Sequence, residues 1–423
     1  MIFVAKPRIF TALAVKYSSK LDIISLVCEI FEINTPKSMI KQERIDVADV
    51  LRGLAVLGIV LLHSLEHFNF YSYPETESTL LQFSNKAIWD STTFLLAGKA
   101  YGIFALLFGF SFYIQDSRQL ERGYDFRLRF MWRLLLLFLW GQLNAMFFTA
   151  EVLVLYAVTG FVLPLFARCS NRTILIAAAI MMLQPLEIGE MIYAILNPEY
   201  TAPRPLDSQY WGMAYQVQSS GTFLETVKMN LWEGQLASLT WAWENARFFQ
   251  TPALFLLGMW IGRQKLFMGG EKNIRFWLAT AGCSLALFFP LRGVEPMLRE
   301  YIANRAVAAP AILIVSSLYK FAFMMLLVSG TVLLYYLTSL RKLLDKIIPY
   351  GRMSLTNYIT QSVIGSFLFY HWGLHLKLNH TYSLLVGIGI FAIQYIFACI
   401  WFKSHKQGPL EYLWKKATWI GKR

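Results

Sequence analysis

IDVADVLRGLAVLGIVLLHSLEHF, residues 45–68, is an apolar segment long enough to cross a membrane as an α-helix. It carries Arg52 near its start and His63 well inside. At about 100° per residue these two side chains lie on nearly the same helix face, roughly 16 Å apart along the axis. Ionisable groups at membrane depth are costly and usually face the interior of a helix bundle. Arg52 and His63 are therefore candidate functional residues.

The composition of the whole chain indicates a membrane protein. Hydrophobic residues make up 56% of the 423 residues and charged residues only 15%. A soluble chain would contain about 25% charged residues. Apolar runs of roughly 20 residues recur from end to end, which is the length that spans the hydrocarbon core.

The net charge of +13 does not indicate nucleic-acid binding. Lys and Arg occur in short clusters between apolar runs, as the positive-inside rule predicts, and suit contacts with anionic lipids. The four cysteines are isolated, without the paired spacing of a metal site. We therefore predict packing cysteines, no metal and no nucleic-acid partner.

The apolar runs predict an all-α polytopic membrane helix bundle of about ten transmembrane helices. The predicted spans lie near residues 47–68, 91–114, 128–148, 150–167, 173–196, 247–266, 274–293, 308–338, 351–371 and 382–402. If the spans alternate, the basic clusters fall on one side, which predicts that both termini are cytoplasmic.

Three segments flank or interrupt the predicted bundle, which occupies residues 39–402. Residues 1–38 do not share the pattern of the bundle, and our hypothesis is that translation begins at Met39, which makes them an extension upstream of the true start. The connection near 197–246 is predicted to be external and is rich in tryptophan, Trp241 included; it suits either an interfacial aromatic belt or a lid that binds an acceptor. Residues 403–423 predict a cytoplasmic interfacial helix with a basic tail.

His63 is the best candidate for chemistry, because a neutral imidazole can act as a general base. His63, Glu66 and His67 also form an H-x-x-E-H pattern, which in zinc peptidases binds metal. No acidic third ligand is apparent, so we interpret Glu66 and His67 instead as residues at the outer mouth that orient His63 or contact an acceptor. The alternative for His63 is a plain hydrogen bond to a neighbouring helix.

Other polar residues at membrane depth are candidates of lower specificity. Glu151 opens a predicted span on the outer side and suits acid–base work there. Asn357 and Gln361 suit a substrate path, together with Tyr358 and Lys320. For each of them a hydrogen bond between helices is the simpler interpretation.

The chain resembles the YeiB-like family of bacterial multi-pass membrane proteins from Met39 onward. The segments that carry the resemblance are RIDVADVLRG (residues 44–53), FALLFGFSF (104–112), EVLVLYAVTG (151–160), GRMSLTNYITQS (351–362) and QGPLEYLW (407–414). The chain departs from that family at one position, since such proteins commonly carry Asn where this chain has His63.

A wider resemblance links the chain to the transmembrane acyltransferase superfamily, whose O-acetylating members carry an R-x10-H arrangement in the first span. Arg52 and His63 reproduce that spacing. The resemblance implies that acyl-CoA is a co-substrate, held near Arg52 and the basic inner-loop residues Arg127, Arg129 and Arg133. It also implies acyl transfer, at His63, to a hydroxyl of an extracytoplasmic glycan or small molecule, in a bacterial inner membrane.

Two other classes remain open from the sequence. A transporter or a lipid- or small-molecule-binding protein would use the same intramembrane polar residues without chemistry. A sensor or assembly scaffold is also compatible with the pattern. Loss of acyl-CoA binding in Arg52→Ala would favour the enzyme.

Overall fold

The computed structural model describes residues 45–68, 73–74, 76, 78–202 and 205–421. The prediction about residues 1–38 and a start at Met39 therefore concerns residues outside the described part. The described residues form helices joined by turns and contain no strand. The predicted all-α class is confirmed for them.

The helices follow one another with short connections. In chain order they are α1 (Asp46–Leu65), α2 (Thr79–Leu96), α3 (Ala100–Leu120), α4 (Arg127–Ala145), α5 (Leu153–Thr159), α6 (Val162–Phe166), α7 (Asn171–Met182), α8 (Pro185–Leu196), α9 (Asp207–Ser220), α10 (Phe223–Leu231), α11 (Glu233–Glu244), α12 (Arg247–Arg263), α13 (Glu271–Tyr301), α14 (Arg305–Leu337), α15 (Arg341–Leu344), α16 (Ile348–Arg352), α17 (Ser354–Phe369), α18 (His380–Trp401) and α19 (Pro409–Thr418).

Five described helical segments are long and apolar enough to cross a membrane: α1, the continuous pair α2–α3, α13, α14 and α18. A sixth is present if α7 and α8 form one span bent by 45°. The bend falls at Gln184, whose backbone is left-handed, and Pro185 begins the next helix. The membrane-protein class follows from these segments, whereas about ten spans and the side of each terminus stay predictions.

Several predicted spans correspond to helices too short to cross by themselves. Helix α12 has 17 residues and α17 has 16, against roughly 20 needed for the hydrocarbon core. Both are buried on most sides, and Leu254, Phe255 and Leu256 of α12 are at most 1% exposed. Their apolar residues are therefore mostly buried against other helices of the bundle.

Two glycines allow α12 to lie directly against α3. A Cβ atom on Gly109 would overlap the carbonyl of Phe255, and one on Gly258 would overlap the carbonyl of Leu106. Small residues let two helix backbones approach closely, and close approach maximises dispersion contacts where no hydrophobic effect acts between helices. The α3–α12 contact is thus specified by these glycines.

Helix α1 lies at the centre of the bundle. In the apolar 18-residue segment of α1, 67% of the residues are buried, compared with 17% in the corresponding segment of α13 and 39% in that of α14. Gly53 contacts Ile347, and Gly351 of α16 contacts the carbonyl of Asp49, so the start of α1 is packed backbone to backbone. Helices α13 and α14 present apolar side chains outward, as lipid-facing helices do.

Candidate functional site

His63 lies in the last turn of α1, on the helix face that borders an internal cavity. Its ring contacts Phe148 at 4.6 Å and Phe68 at 5.7 Å between ring centroids. Its Nδ1 atom is buried and has no hydrogen-bond partner in the described part of the chain. A buried ring nitrogen without a partner is costly, and such an unsatisfied group marks His63 as a candidate functional residue.

The cavity has a volume of about 1270 Å³, and its wall comes from both halves of the chain. A volume of this order accommodates a ligand larger than a typical drug molecule. The acidic and imidazole residues of its lining are His63, Glu66, Asp90, Glu151 and Asp207. Three residues that the sequence singled out for catalysis, His63, Glu66 and Glu151, are therefore brought to one cavity.

Glu151 is fixed at the start of α5. One carboxylate oxygen accepts from the Asn144 side chain and the other from the backbone N–H of Leu153. Its backbone carbonyl accepts from Ser238 of α11 at 2.9 Å. These bonds hold the residue before α5 against α11, and the Glu151 side chain accepts from the first N–H of α5 and lines the cavity.

Aromatic side chains form another part of the lining. Trp89, Trp211 and Trp241 come from α2, α9 and α11, and Tyr319 comes from α14. The predicted substrate contact Trp241 therefore borders the same cavity as His63. Aromatic rings with polar edges suit an amphipathic or sugar-like molecule, and helices α9 and α11 of the long 197–246 connection supply two of them.

Four basic side chains also border the cavity: Lys99, Arg247, Arg292 and Lys320. Lys320 was noted in the sequence as a polar residue at membrane depth, but Arg247 and Arg292 were not singled out. The sequence does distinguish these two arginines, because both lie on the predicted outer side of the membrane, where basic residues are depleted. A basic residue on that side calls for an explanation other than topology.

Arg52, at the other end of α1, lies outside the cavity lining. Its Nη1 donates to Asp49 Oδ1 at 2.5 Å, and its Nη2 donates to Ser111 Oγ of α3 at 2.6 Å. The side chain remains 22% exposed. Arg52 and His63 thus occupy opposite ends of one helix, as the sequence spacing predicts.

The three basic residues predicted beside Arg52 lie at the start of α4 and each has a partner within the chain. Arg127 pairs with Asp125 at 2.6 Å. Arg129 donates to the carbonyls of Thr418 and Ile420, and Arg133 stacks over the Trp414 ring at 3.7 Å. Arg129 and Arg133 therefore attach α19 to α4.

His67 points away from the cavity lining. Its Nε2 lies 2.8 Å from Ser383 Oγ of α18, and its ring stacks on Phe369 of α17 at 4.6 Å. The backbone of His67 is left-handed, which turns the chain after α1. His63 and His67 therefore face different surroundings, and the described residues contain no group of three or more His, Cys, Asp or Glu placed to hold a metal.

Asn357 and Gln361 lie on α17, behind the cavity wall. Asn357 Nδ2 donates to the Tyr350 carbonyl at 3.0 Å, and its own carbonyl accepts from Gln394 at 2.9 Å. The amide of Gln361 is buried, with no partner among the described residues. Of the predicted path residues, Tyr358 and Lys320 border the cavity itself.

Comparison with known proteins divides the chain into two matched regions. Residues 44–209 match the family described as "Heparan-alpha-glucosaminide N-acetyltransferase, catalytic", and residues 261–421 match "Protein of unknown function (DUF418)". A 77-residue segment is 39% identical to the Escherichia coli K12 protein YeiB, over 18% of this chain and 20% of that protein. These matches support the resemblance of the chain to the YeiB-like family.

Relatives of this YeiB-like chain extend over nearly its whole length. The uncharacterised Bacillus subtilis protein YxaH is 28% identical over 89% of this chain and 95% of its own length. An uncharacterised 39.9 kDa protein from Bacillus acidopullulyticus is 27% identical over 89% of this chain and 94% of its own length.

The acetyltransferase-like match includes much of the site. It contains Arg52, His63, Glu66, Lys99 and Glu151. The family thus stands near the transmembrane acyltransferase superfamily. The acetyltransferase-like region contains His63, Glu66 and Glu151 of the cavity lining.

Proposed function

We propose that the protein is an integral membrane acyltransferase of the bacterial inner membrane. It moves an acyl group, acetyl in the simplest case, from cytoplasmic acyl-CoA to a hydroxyl of an extracytoplasmic glycan or small molecule. The observation that carries the proposal is the unpartnered, buried Nδ1 of His63 beside a cavity of about 1270 Å³. The acetyltransferase-like match over the same residues supports it.

The proposed chemistry is a direct transfer. As the acceptor hydroxyl oxygen attacks the thioester carbonyl carbon, His63 takes the hydroxyl proton. The new C–O bond forms, the C–S bond breaks, and the departing CoA thiolate takes the proton back from the imidazolium. Glu66 and Glu151 line the same cavity, and in this proposal their carboxyl groups stabilise the imidazolium charge.

On the donor side, Arg52 is the proposed contact for the CoA phosphates, because a guanidinium binds phosphate with two parallel hydrogen bonds. Arg52 and Arg127 keep exposed surface, 22% and 45% of their side chains. Arg129 and Arg133 contact α19, so they contribute to this end mainly by positioning that helix.

Replacement of His63 tests the proposal. We expect His63→Ala to abolish the acceptor-dependent release of CoA by membranes or purified protein incubated with acetyl-CoA. His405→Ala, an exposed histidine outside the cavity lining, should retain it. Equal amounts of folded protein in both variants, measured by size-exclusion chromatography, exclude a folding effect. Retained transfer in His63→Ala would refute the role of His63.

A second candidate function is transport or binding of a polar small molecule without chemistry. The observation that favours it is the size of the cavity together with its four basic side chains. A binding protein of this kind would move or hold its ligand equally well in wild type and in His63→Ala, and it would release no CoA.

A further inference from the structure

Three basic side chains from different parts of the chain meet at one wall of the cavity. Lys99 follows the break between α2 and α3, Arg247 begins α12, and Lys320 lies within α14. A Cβ placed on Gly98 would lie 3.3 Å from Arg247 Nη2 and 3.6 Å from Lys320 Cδ, so these two side chains converge beside that glycine. Lys99 is the next residue. We call Lys99, Arg247 and Lys320 the basic triad.

No member of the basic triad forms an ion pair with a described residue, although carboxylates line the same cavity. Lys99 Nζ donates to the Phe94 carbonyl at 2.7 Å, and Arg247 Nη1 donates to Tyr101 Oη at 3.0 Å and to Gln250. Arg247 Nε is buried without an acceptor. Lys320 has no hydrogen bond to a described side chain or carbonyl, and the carboxylate of Glu295 acts on it through charge alone. Several N–H groups of the triad are therefore available to a ligand.

Lys99 and Arg247 of the basic triad each form cation–π contacts with aromatic rings. Lys99 Nζ lies 5.6 Å from the centroids of Phe94 and Phe323, and the Arg247 guanidinium lies 4.5 Å from the Tyr101 ring and 5.5 Å from the Trp241 ring. Cation–π contacts of this kind attract a cation to the face of the ring. They soften the mutual repulsion of three like charges, but they supply no negative charge.

A cluster of buried cations is unfavourable unless an anion binds to it. Arg247 is only 7% exposed and Lys99 only 5%, and buried cations without a counter-charge are strongly destabilising. Elsewhere in the described chain, by contrast, Arg52, Arg127 and Arg168 each have an aspartate partner.

We propose that the basic triad binds a phosphate group of the acceptor. One guanidinium and two ammonium groups complement the negatively charged non-bridging oxygens of a phosphate, with Arg247 as the planar donor and the lysines as point charges. This inference deepens the proposed function and rests on it for the reaction: the phosphate anchors the acceptor at one wall while its hydroxyl reaches His63 in the same cavity. The acceptor is a phosphate-bearing molecule, either a lipid head group or a soluble phosphate ester.

The test measures phosphate binding directly and separates the two sources. Full-length protein is placed in phosphatidylcholine nanodiscs and titrated with sn-glycerol 3-phosphate while tryptophan fluorescence is followed, since Trp241 borders Arg247. In a second arm, nanodiscs containing 20% phosphatidylglycerol (about one lipid in five) are compared with pure phosphatidylcholine, and retained lipid is identified by native mass spectrometry.

Lys320→Gln is the decisive variant, because Lys320 has no structural hydrogen bond to lose. We expect it to weaken binding at least about tenfold, which corresponds to one charge-assisted contact, and Lys320→Arg to keep binding within about threefold. Lys403→Gln makes the same charge change at an exposed residue outside the cavity lining and should leave binding unchanged. Binding in either arm supports the phosphate site, and the arm in which it occurs shows whether the phosphate belongs to a soluble ester or to a lipid head group.

Two outcomes would overturn the phosphate site: no binding by wild type in either arm, or equal weakening by Lys320→Gln and Lys403→Gln. His63→Ala keeps this test separate from the enzymatic one. If Lys320→Gln weakens binding while His63→Ala retains transfer, the acyltransferase mechanism fails and the phosphate site stands. If His63-dependent transfer occurs without phosphate binding, only the phosphate site fails.

Discussion

Single residues of this site serve packing and chemistry together, and Glu151 is the clearest case. The sequence marks it only as an acidic residue that opens an apolar segment. In the folded chain its two carboxylate oxygens accept hydrogen bonds from the side-chain amide of Asn144 and the backbone N–H of Leu153, and both of these donors are buried. A residue in such a position resists substitution for structural reasons, whatever it adds to proton transfer.

We expect Glu151→Ala to lower the free energy of unfolding by about 1–3 kcal/mol, because it leaves two buried donors without an acceptor. The measurement is the thermal midpoint of the purified protein in detergent, followed with a thiol-reactive dye. Glu271→Ala removes an exposed carboxylate from the start of α13 and serves as the control. Equal midpoints for the two variants would show that the bonds of Glu151 contribute no stability.

His63 and Lys320 illustrate the limits of residue-scale prediction. His63 is conspicuous because it is an ionisable group inside an apolar helix, and the cavity beside it agrees with that interpretation. The proximity of Lys320 to Arg247, 73 positions earlier in the chain, depends on how α12 and α14 pack, and no local pattern encodes it.

At the scale of helices, apolar length is an incomplete guide to membrane crossing. Helices α12 and α17 contain apolar segments, yet they are short and most of their residues are buried against other helices. The difference lies in the surroundings of each helix, which hydropathy does not record. Glycine positions are more informative, since Gly109 and Gly258 mark where α3 and α12 touch.

We predict opposite effects for two alanine substitutions at helical glycines. Gly258→Ala should destabilise the protein strongly, because its Cβ would overlap the carbonyl of Leu106 and force α3 away from α12. Gly282→Ala on α13 meets nothing within 4 Å and should be neutral or stabilising, by up to about 1 kcal/mol, through helix propensity. Thermal midpoints of both variants in one detergent test this. A Gly258→Ala protein as stable as Gly282→Ala would contradict the close α3–α12 contact.

On the scale of the whole molecule, α19 connects the acetyltransferase-like region with the DUF418 region. It contacts α4 through Arg129 and Arg133. On its other side Glu411 accepts from the backbone N–H of Leu355 at 2.7 Å and from Thr356 Oγ1 at 2.7 Å. A short helix near the chain end thus holds the two matched regions together at the Arg52 end of α1.

The Glu411 contact predicts a pH dependence of α19 docking. Burial raises the pKa of Glu411, and its hydrogen bonds with Thr356 and Leu355 oppose that shift only in part. Since the folded pKa exceeds the unfolded one, the contribution of Glu411 is complete below the ordinary carboxyl pKa, about 4.3, and is lost as pH rises through the raised value. As pH rises through the raised pKa of Glu411, hydrogen exchange of α19 should therefore accelerate more steeply than the chemical exchange rate alone accounts for.

Glu411→Gln provides the control for that prediction. Its uncharged amide keeps one oxygen acceptor for Leu355, so α19 should remain docked and lose the excess pH dependence. Glu411→Ala should expose α19 at every pH, because three donors lose their acceptor. An unchanged pH profile in Glu411→Gln would assign the effect to other groups.

The sequence by itself determined the membrane class, the helical fold and the first helix with Arg52 and His63 at its two ends. Those features are local: apolar length, hydrophobic period and an ionisable residue in an apolar run are all encoded within about 20 residues. Tertiary structure decided which helices are enclosed, that Glu66, Glu151 and Trp241 share a cavity with His63, and that Lys99, Arg247 and Lys320 meet there. Such convergence depends on the packing of helices far apart in the chain, and side-chain shape at each contact governs that packing.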